Sequence, residues 1–98
     1  MIALENVEHS TFAPFEGRDF KITAESPILL RLSSAKKLGH RRANADRDPF
    51  SLTFRGPQGL RLPQRIYHFT CEGFGEIELF ITQVADGPQG SEFEAVFT

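Results

Sequence analysis

The chain has 98 residues, a formal charge of −2, and 24% charged against 40% hydrophobic residues. These values exclude two independent cores and a disordered tail, and they argue against a strongly basic nucleic-acid binder. Trp is absent, Phe occurs ten times, and the single cysteine, Cys71, excludes an internal disulfide and a zinc site built from several thiolates.

The opening MIALENVEHS carries Glu5 and Glu8 and lacks a basic start followed by an apolar run. No signal peptide is read, and cytoplasmic synthesis is expected. No apolar run approaches the ~20 residues of a membrane helix, so no membrane partner is expected. Ser10 or Thr11 can cap a short helical turn that holds Pro14 and ends at Gly17. Its Phe12 and Phe15 lie three apart and share a face, which suits a plug for one end of a core.

From Arg18 the period becomes two. Phe20, Ile22 and Ala24 point one way and polar groups the other, which predicts a half-buried strand. Glu25-Ser26-Pro27 is a turn, and Ile28 to Ser33 is a second strand with Ile28, Leu30 and Leu32 inward. Leu29 is apolar on the opposite face, so something is expected to cover it. Lys36 to Pro49 is polar and aperiodic, and residues 37–48 are expected to form a long exposed loop. Phe50 to Arg55 alternates cleanly. After the turn Gly56-Pro57-Gln58-Gly59, the runs Arg65–Cys71 and Glu76–Val84 flank Gly73-Phe74-Gly75 and read as a hairpin. Asp86 to Gly90 is a turn, and Glu92 to Thr98 a last strand with Phe93, Ala95 and Phe97 on one face.

About six strands without an amphipathic helix predict one all-β domain over residues 1–98, a small antiparallel barrel or bent sandwich with a short N-terminal helical turn. Alternation places Phe20, Ile22, Leu30, Leu32, Phe50, Leu52, Phe54, Leu79, Ile81, Phe93 and Phe97 inside.

The segment Pro49-Phe50-Ser51-Leu52-Thr53-Phe54-Arg55-Gly56-Pro57 resembles the central signature of the DUF6916-type domain, a family of small bacterial proteins. Phe12-Ala13-Pro14 with Gly17 and Phe20 is similar to its opening. Leu62-Pro63-Gln64 with Tyr67, then Gly75, Glu78-Leu79-Phe80 and Glu94-Ala95-Val96-Phe97, continue the likeness over nearly the whole chain. The resemblance implies a small β domain without an established enzymatic activity. Such proteins are often encoded beside proteins resembling phage tail-collar or tail-fibre subunits, so a protein of that kind is an expected partner.

Candidate chemistry is sparse. His68 and Cys71 are three apart on a strand and point to opposite faces, which disfavours a metal pair or a Cys–His nucleophile. Cys71 reads instead as a small buried hydrophobe. Asn44, Asp46 and Asp48 alternate like the first ligands of a calcium loop. Pro49 and Arg55 then stand where the helix-loop-helix form needs glycine and an acid. Glu76 with Glu78, and Glu92 with Glu94, share strand faces and read as solubilising pairs. Sugar binding lacks exposed Trp or Tyr platforms, since Tyr67 falls in the same alternating set as Phe69. No catalytic residue, metal or cofactor is assigned.

Charge order is the unusual feature. Residues 31–65 hold nine Lys or Arg against two Asp, a net +7, whereas residues 66–98 hold six acids and no Lys or Arg. Cross-strand pairing of these segments would cancel much of the separation; otherwise the surface is dipolar and suits ordered protein association. Lys36, Lys37, Arg41 and Arg42 concentrate positive charge and are the candidate contacts for a polyanion, although stacking aromatics are missing and nucleic acid is not the expected partner. Glu92, Glu94 and Val96 of the last strand are the candidate interaction edge. The expected function is a non-enzymatic protein-interaction or assembly domain; the alternatives are a polyanion-binding module and a small enzyme.

Overall fold

A strand with one apolar face must close that face against another layer. In the computed structural model, which describes residues 1–24, 26–41 and 43–98, six strands close the face on itself. They are β1 (Asp19–Ile22), β2 (Ile28–Lys37), β3 (Phe50–Gly56), β4 (Arg65–Cys71), β5 (Gly75–Gly87) and β6 (Gly90–Phe97). Their order around the closed barrel is β1-β2-β3-β6-β5-β4. Every pairing is antiparallel, and Lys21 opposite Thr70 with Ile22 opposite Phe69 closes the ring. No helix among the described residues is long and apolar enough to cross a membrane.

All eleven residues expected inside are buried, joined by Val7, Phe12, Phe69, Ile77, Ala95 and Cys71. The Phe54 ring lies 5.6 Å from Phe20 and 4.9 Å from Phe69, so side chains of β1, β3 and β4 meet on the barrel axis. Each fully buried side chain of this size contributes roughly 1.5–3 kcal/mol, which is why alternation governs the register.

Residues before β1 close one mouth. α1 (His9–Phe12) and a 3₁₀ turn (Ala13–Phe15) carry the expected plug. Phe12 is buried and lies 5.1 to 6.0 Å from the rings of Phe74, Phe97 and Phe50, while Phe50 and Phe97 stack at 4.5 Å. Phe15 meets Phe74 edge-on at 5.1 Å. The helix is capped one turn earlier than Ser10 or Thr11: Glu8 is the N-cap residue, and its backbone N–H donates to Thr11 Oγ1 at 2.9 Å. One pattern reading is also corrected nearby. β1 ends at Ile22, leaving Ala24 exposed. Glu25 lies outside the described residues.

β2 is longer than the sequence suggests. It runs to Lys37, so Lys36 and Lys37 are strand residues opposite Ser51 and Phe50, not loop residues. The physical reason is a bulge between Leu32 and Ser34, where the register shifts by one residue. Beyond it the inward set changes parity, from Leu30 and Leu32 to Ala35 opposite Leu52. A strict period of two therefore loses the strand at Ser33.

The β5–β6 hairpin turns at Pro88-Gln89 between paired Gly87 and Gly90. Gly90 has φ +111°, and a Cβ there would collide with the Gly56 carbonyl oxygen. Only glycine lets β6 approach β3 this closely.

Candidate interaction surface

With the interior filled by packed side chains, the outward positions of the strands are where the barrel meets other molecules. The charged residues of the strands fall into two kinds, and the ring order separates them. The strand residues of β1, β2 and β3 hold Lys21, Arg31, Lys36, Lys37 and Arg55 against Asp19, a net +4. Those of β6, β5 and β4 hold Glu76, Glu78, Asp86, Glu92 and Glu94 against Arg65, a net −4. Each set comprises three neighbouring strands. The charge segregation along the chain thus becomes two half-walls of opposite sign.

Ion pairs stitch the segments together without erasing that division. Arg55 pairs with Glu92 across the β3–β6 seam, and Arg61 lies 3.7 Å from Asp86. Arg31 stands directly opposite Arg55 in register. Such like-charge neighbours are unfavourable, and each has an acid on its far side, with Arg31 Nε 3.6 Å from Asp19. These four charges form one row, Asp19–Arg31–Arg55–Glu92, along a shallow depression that also includes Leu29, Ser34 and Pro57. Leu29 is 56% exposed, so nothing among the described residues supplies the cover expected for it.

The acidic half-wall carries an apolar row. Ile66 of β4 lies opposite Phe80 of β5, and Phe80 shares a shallow hollow with Val96 of β6 and Leu4. Ile66 is 61% exposed, Phe80 49% and Val96 55%. Carboxylates border the row: Glu78 follows along β5 opposite His68, and Glu94 lies opposite Thr82. His68 Nε2 is 2.9 Å from Glu76 Oε1.

The edge assigned to Glu92, Glu94 and Val96 is corrected by the topology. β6 pairs with β3 on one side and β5 on the other, and a closed barrel leaves β6 no free edge. Those three residues are outward wall positions instead, and Val96 belongs to the apolar row. The four basic candidates are not one loop cluster: Lys36 and Lys37 end β2, and the Arg41 backbone N–H donates to Asp48 Oδ1 at 2.8 Å. Arg42 lies outside the described residues. Asp48 of the alternating Asn44, Asp46, Asp48 trio thus accepts a loop hydrogen bond, and no group of three or more His, Cys, Asp or Glu poised for a metal occurs among the described residues.

His68 and Cys71 lie on opposite faces, as parity requires. Cys71 is buried, and burial pushes its thiol above the ordinary value; the nearby Arg18 cation opposes this, and Asp19 and Glu72 reinforce it. A thiol held protonated is a poor nucleophile.

Two residues of consequence escape a pattern reading. Arg47, inside the expected loop, donates to the Leu4 and Val7 carbonyl oxygens at 2.6 and 2.9 Å and lies over the Phe97 ring at 5.2 Å. It clamps the N-terminal segment to the barrel mouth, and no spacing in the sequence announces a contact made across forty residues. Phe80 had a visible signal: it breaks the polar face between Leu79 and Ile81.

The architecture defines a small closed six-stranded antiparallel barrel with a plugged mouth and a two-signed outer wall. The chain belongs to the family described as Domain of unknown function (DUF6916), whose match covers residues 7–97. No curated protein and no solved structure matches it.

Proposed function

We propose that this barrel works by protein–protein contact, as a non-enzymatic accessory or assembly domain. The observation that carries the reading is the row of Ile66, Phe80 and Val96, three large apolar side chains about half exposed on neighbouring strands. With Leu4 they amount to on the order of a few hundred Å2 of contiguous apolar surface, the size at which a surface patch is often functional. Carboxylates at the margin of the apolar row match the polar rim of protein interfaces. The family resemblance points to tail-collar-like or tail-fibre-like subunits of bacterial phage-like assemblies as the class of partner.

The test is partner capture from lysate of the native cell, with recovered proteins identified by mass spectrometry. Phe80→Asp should remove the specific partner while leaving the melting temperature nearly unchanged, because Phe80 faces outward. The fourfold variant with Ala at Lys36, Lys37, Arg41 and Arg42 should leave capture largely intact. Capture insensitive to Phe80→Asp but lost in the fourfold variant, together with salt-sensitive binding to heparin, would establish the polyanion reading instead.

A further inference from the structure

We infer that the barrel associates with further copies of itself head to tail, the acidic half-wall of one copy seated on the basic half-wall of the next. The inference rests on the protein-contact reading above and names the occupant of the Phe80 row.

Charge complementarity carries it. The two half-walls have net charges of −4 and +4, and each occupies three neighbouring strands of the ring. One barrel cannot satisfy this complementarity internally, because the halves touch only along their seams. Arg55–Glu92 already uses the β3–β6 seam. A second copy can satisfy it across a face.

The two faces also match in local pattern. On the acidic side, Phe80 is exposed with Glu78 two residues along the same strand and Glu94 on the adjoining one. On the basic side, Leu29 is exposed with Lys21 directly opposite and Arg31 two residues along. An apolar centre flanked by acids thus has a counterpart flanked by cations. Leu29, Arg31 and Pro57 line one shallow depression on this side. Arg31 is free to exchange partners, since it meets Asp19 through Nε at 3.6 Å with both side chains half exposed or more. Pairs of that kind are worth ~0–1 kcal/mol, and a guanidinium can take an incoming carboxylate through its terminal nitrogens.

A two-fold contact centred on one half-wall would bring like charges together, and one centred on the β3–β6 seam, where both signs adjoin, would stop at a dimer. A heterologous contact sets + against − and leaves one unsatisfied face at each end, so association continues into rings or filaments. A stable interface covers ~800 Å2 per partner, a small share of the 6194 Å2 that one copy exposes. Contacts led by exposed charge are screened by salt, so the association is strongest at low ionic strength.

Sedimentation velocity on the full chain tests this. At ~0.02 M salt the average mass should rise above 11.0 kDa with concentration, and the association constant should fall at least about tenfold by ~0.5 M salt. Arg31→Glu and Glu78→Lys should each stop self-association while keeping wild-type melting and circular dichroism. The decisive arm mixes these two variants. Glu78→Lys retains an intact basic face and Arg31→Glu an intact acidic face, and their altered faces are again opposite in sign, so the mixture should recover the growing association that neither variant shows alone. A chain that stays monomeric at low salt and millimolar concentration overturns the inference. So does association that stops at a dimer. If partner capture remains sensitive to Phe80→Asp while self-association is absent, only this inference falls; if neither is seen, the protein-contact reading falls with it.

Discussion

The half-wall β1–β2–β3 and the half-wall β6–β5–β4 share one interior and differ in what they show to water. Inside, both contribute interlocking Phe, Leu and Ile side chains, and Phe54 of the first touches Phe69 of the second at 4.9 Å. Outside, the first presents lysines, arginines and hydroxyls, and the second carboxylates around an apolar row. Core packing therefore constrains alternate residues of every strand alike, whereas the outward residues are free to differ. A difference of sign that follows the ring order is then a property of the surface and of what it meets, not a requirement of folding. The comparison predicts that inward substitutions damage both halves together and outward ones leave the fold intact.

The largest expected effect tests the shared interior. Phe54→Ala removes a fully buried ring at the axis and should cost ~3–5 kcal/mol, a large fraction of the stability of a domain this size. Because Phe54 touches β1 and β4, unfolding should remain a single transition, measured by denaturant titration with two probes. A first transition confined to the basic half-wall would show that the halves are separable and break the comparison.

Next in size is the clamp at the plugged mouth. Arg47→Met keeps much of the side-chain bulk but removes the two hydrogen bonds to the Leu4 and Val7 carbonyl oxygens. The two lost hydrogen bonds and the lost cation–ring contact should together cost about 1–3 kcal/mol. Hydrogen exchange should accelerate in residues 4–12 before it does in the strands. An unchanged melting temperature would mean that the N-terminal segment is held by Phe12 and Val7 alone.

A smaller effect is expected at the wall itself. Phe80→Ser should shift stability by no more than about 0.5 kcal/mol, as outward substitutions do, against the several kcal/mol of Phe54→Ala. The contrast between an inward phenylalanine of β3 and an outward one of β5 sharpens the division between packing and surface. A loss comparable to that at Phe54 would show that Phe80 is structural and would remove the basis of the proposed contact.

How far the sequence announced these features follows the same division. Clean alternation in Phe50–Arg55 and Glu92–Phe97 exposed the inward residues directly, because one buried face imposes a period of two. The pattern failed where the backbone left that period: the bulge at Ser33 hid the last third of β2. It also failed where a contact is purely tertiary, as with Arg47. Which strands close the expected barrel was invisible for a related reason. Pairing of β1 with β4 rests on two residue pairs, Lys21 with Thr70 and Ile22 with Phe69, and no local signal marks strands distant in sequence as neighbours. Without closure, β6 read as an edge. The charge blocks were legible, but their meaning depended on which strands adjoin, and the order β3-β6-β5-β4 turned blocks into half-walls.

The smallest expected effect concerns Cys71, which lies where β4 approaches β1 and the two half-walls meet. Burial raises its thiol above the ordinary value, with the Arg18 cation opposing and Asp19 and Glu72 adding to the rise. Below the ordinary thiol value both folded and unfolded chains hold the proton, and the contribution to stability is complete. As pH rises past that value the unfolded chain ionises first, so it binds fewer protons than the native state and native stability falls with pH. The loss ends once pH passes the raised native value. Every other ionisable group is common to wild type and Cys71→Val, so the difference between the two proteins isolates the thiol. Melting temperatures compared from about pH 7 to about pH 10 should converge or cross, the wild type losing ground as the thiol of its unfolded chain ionises. Parallel pH slopes in the two proteins would show that the thiol has the same affinity for its proton folded and unfolded, and would place Cys71 in contact with water at the seam.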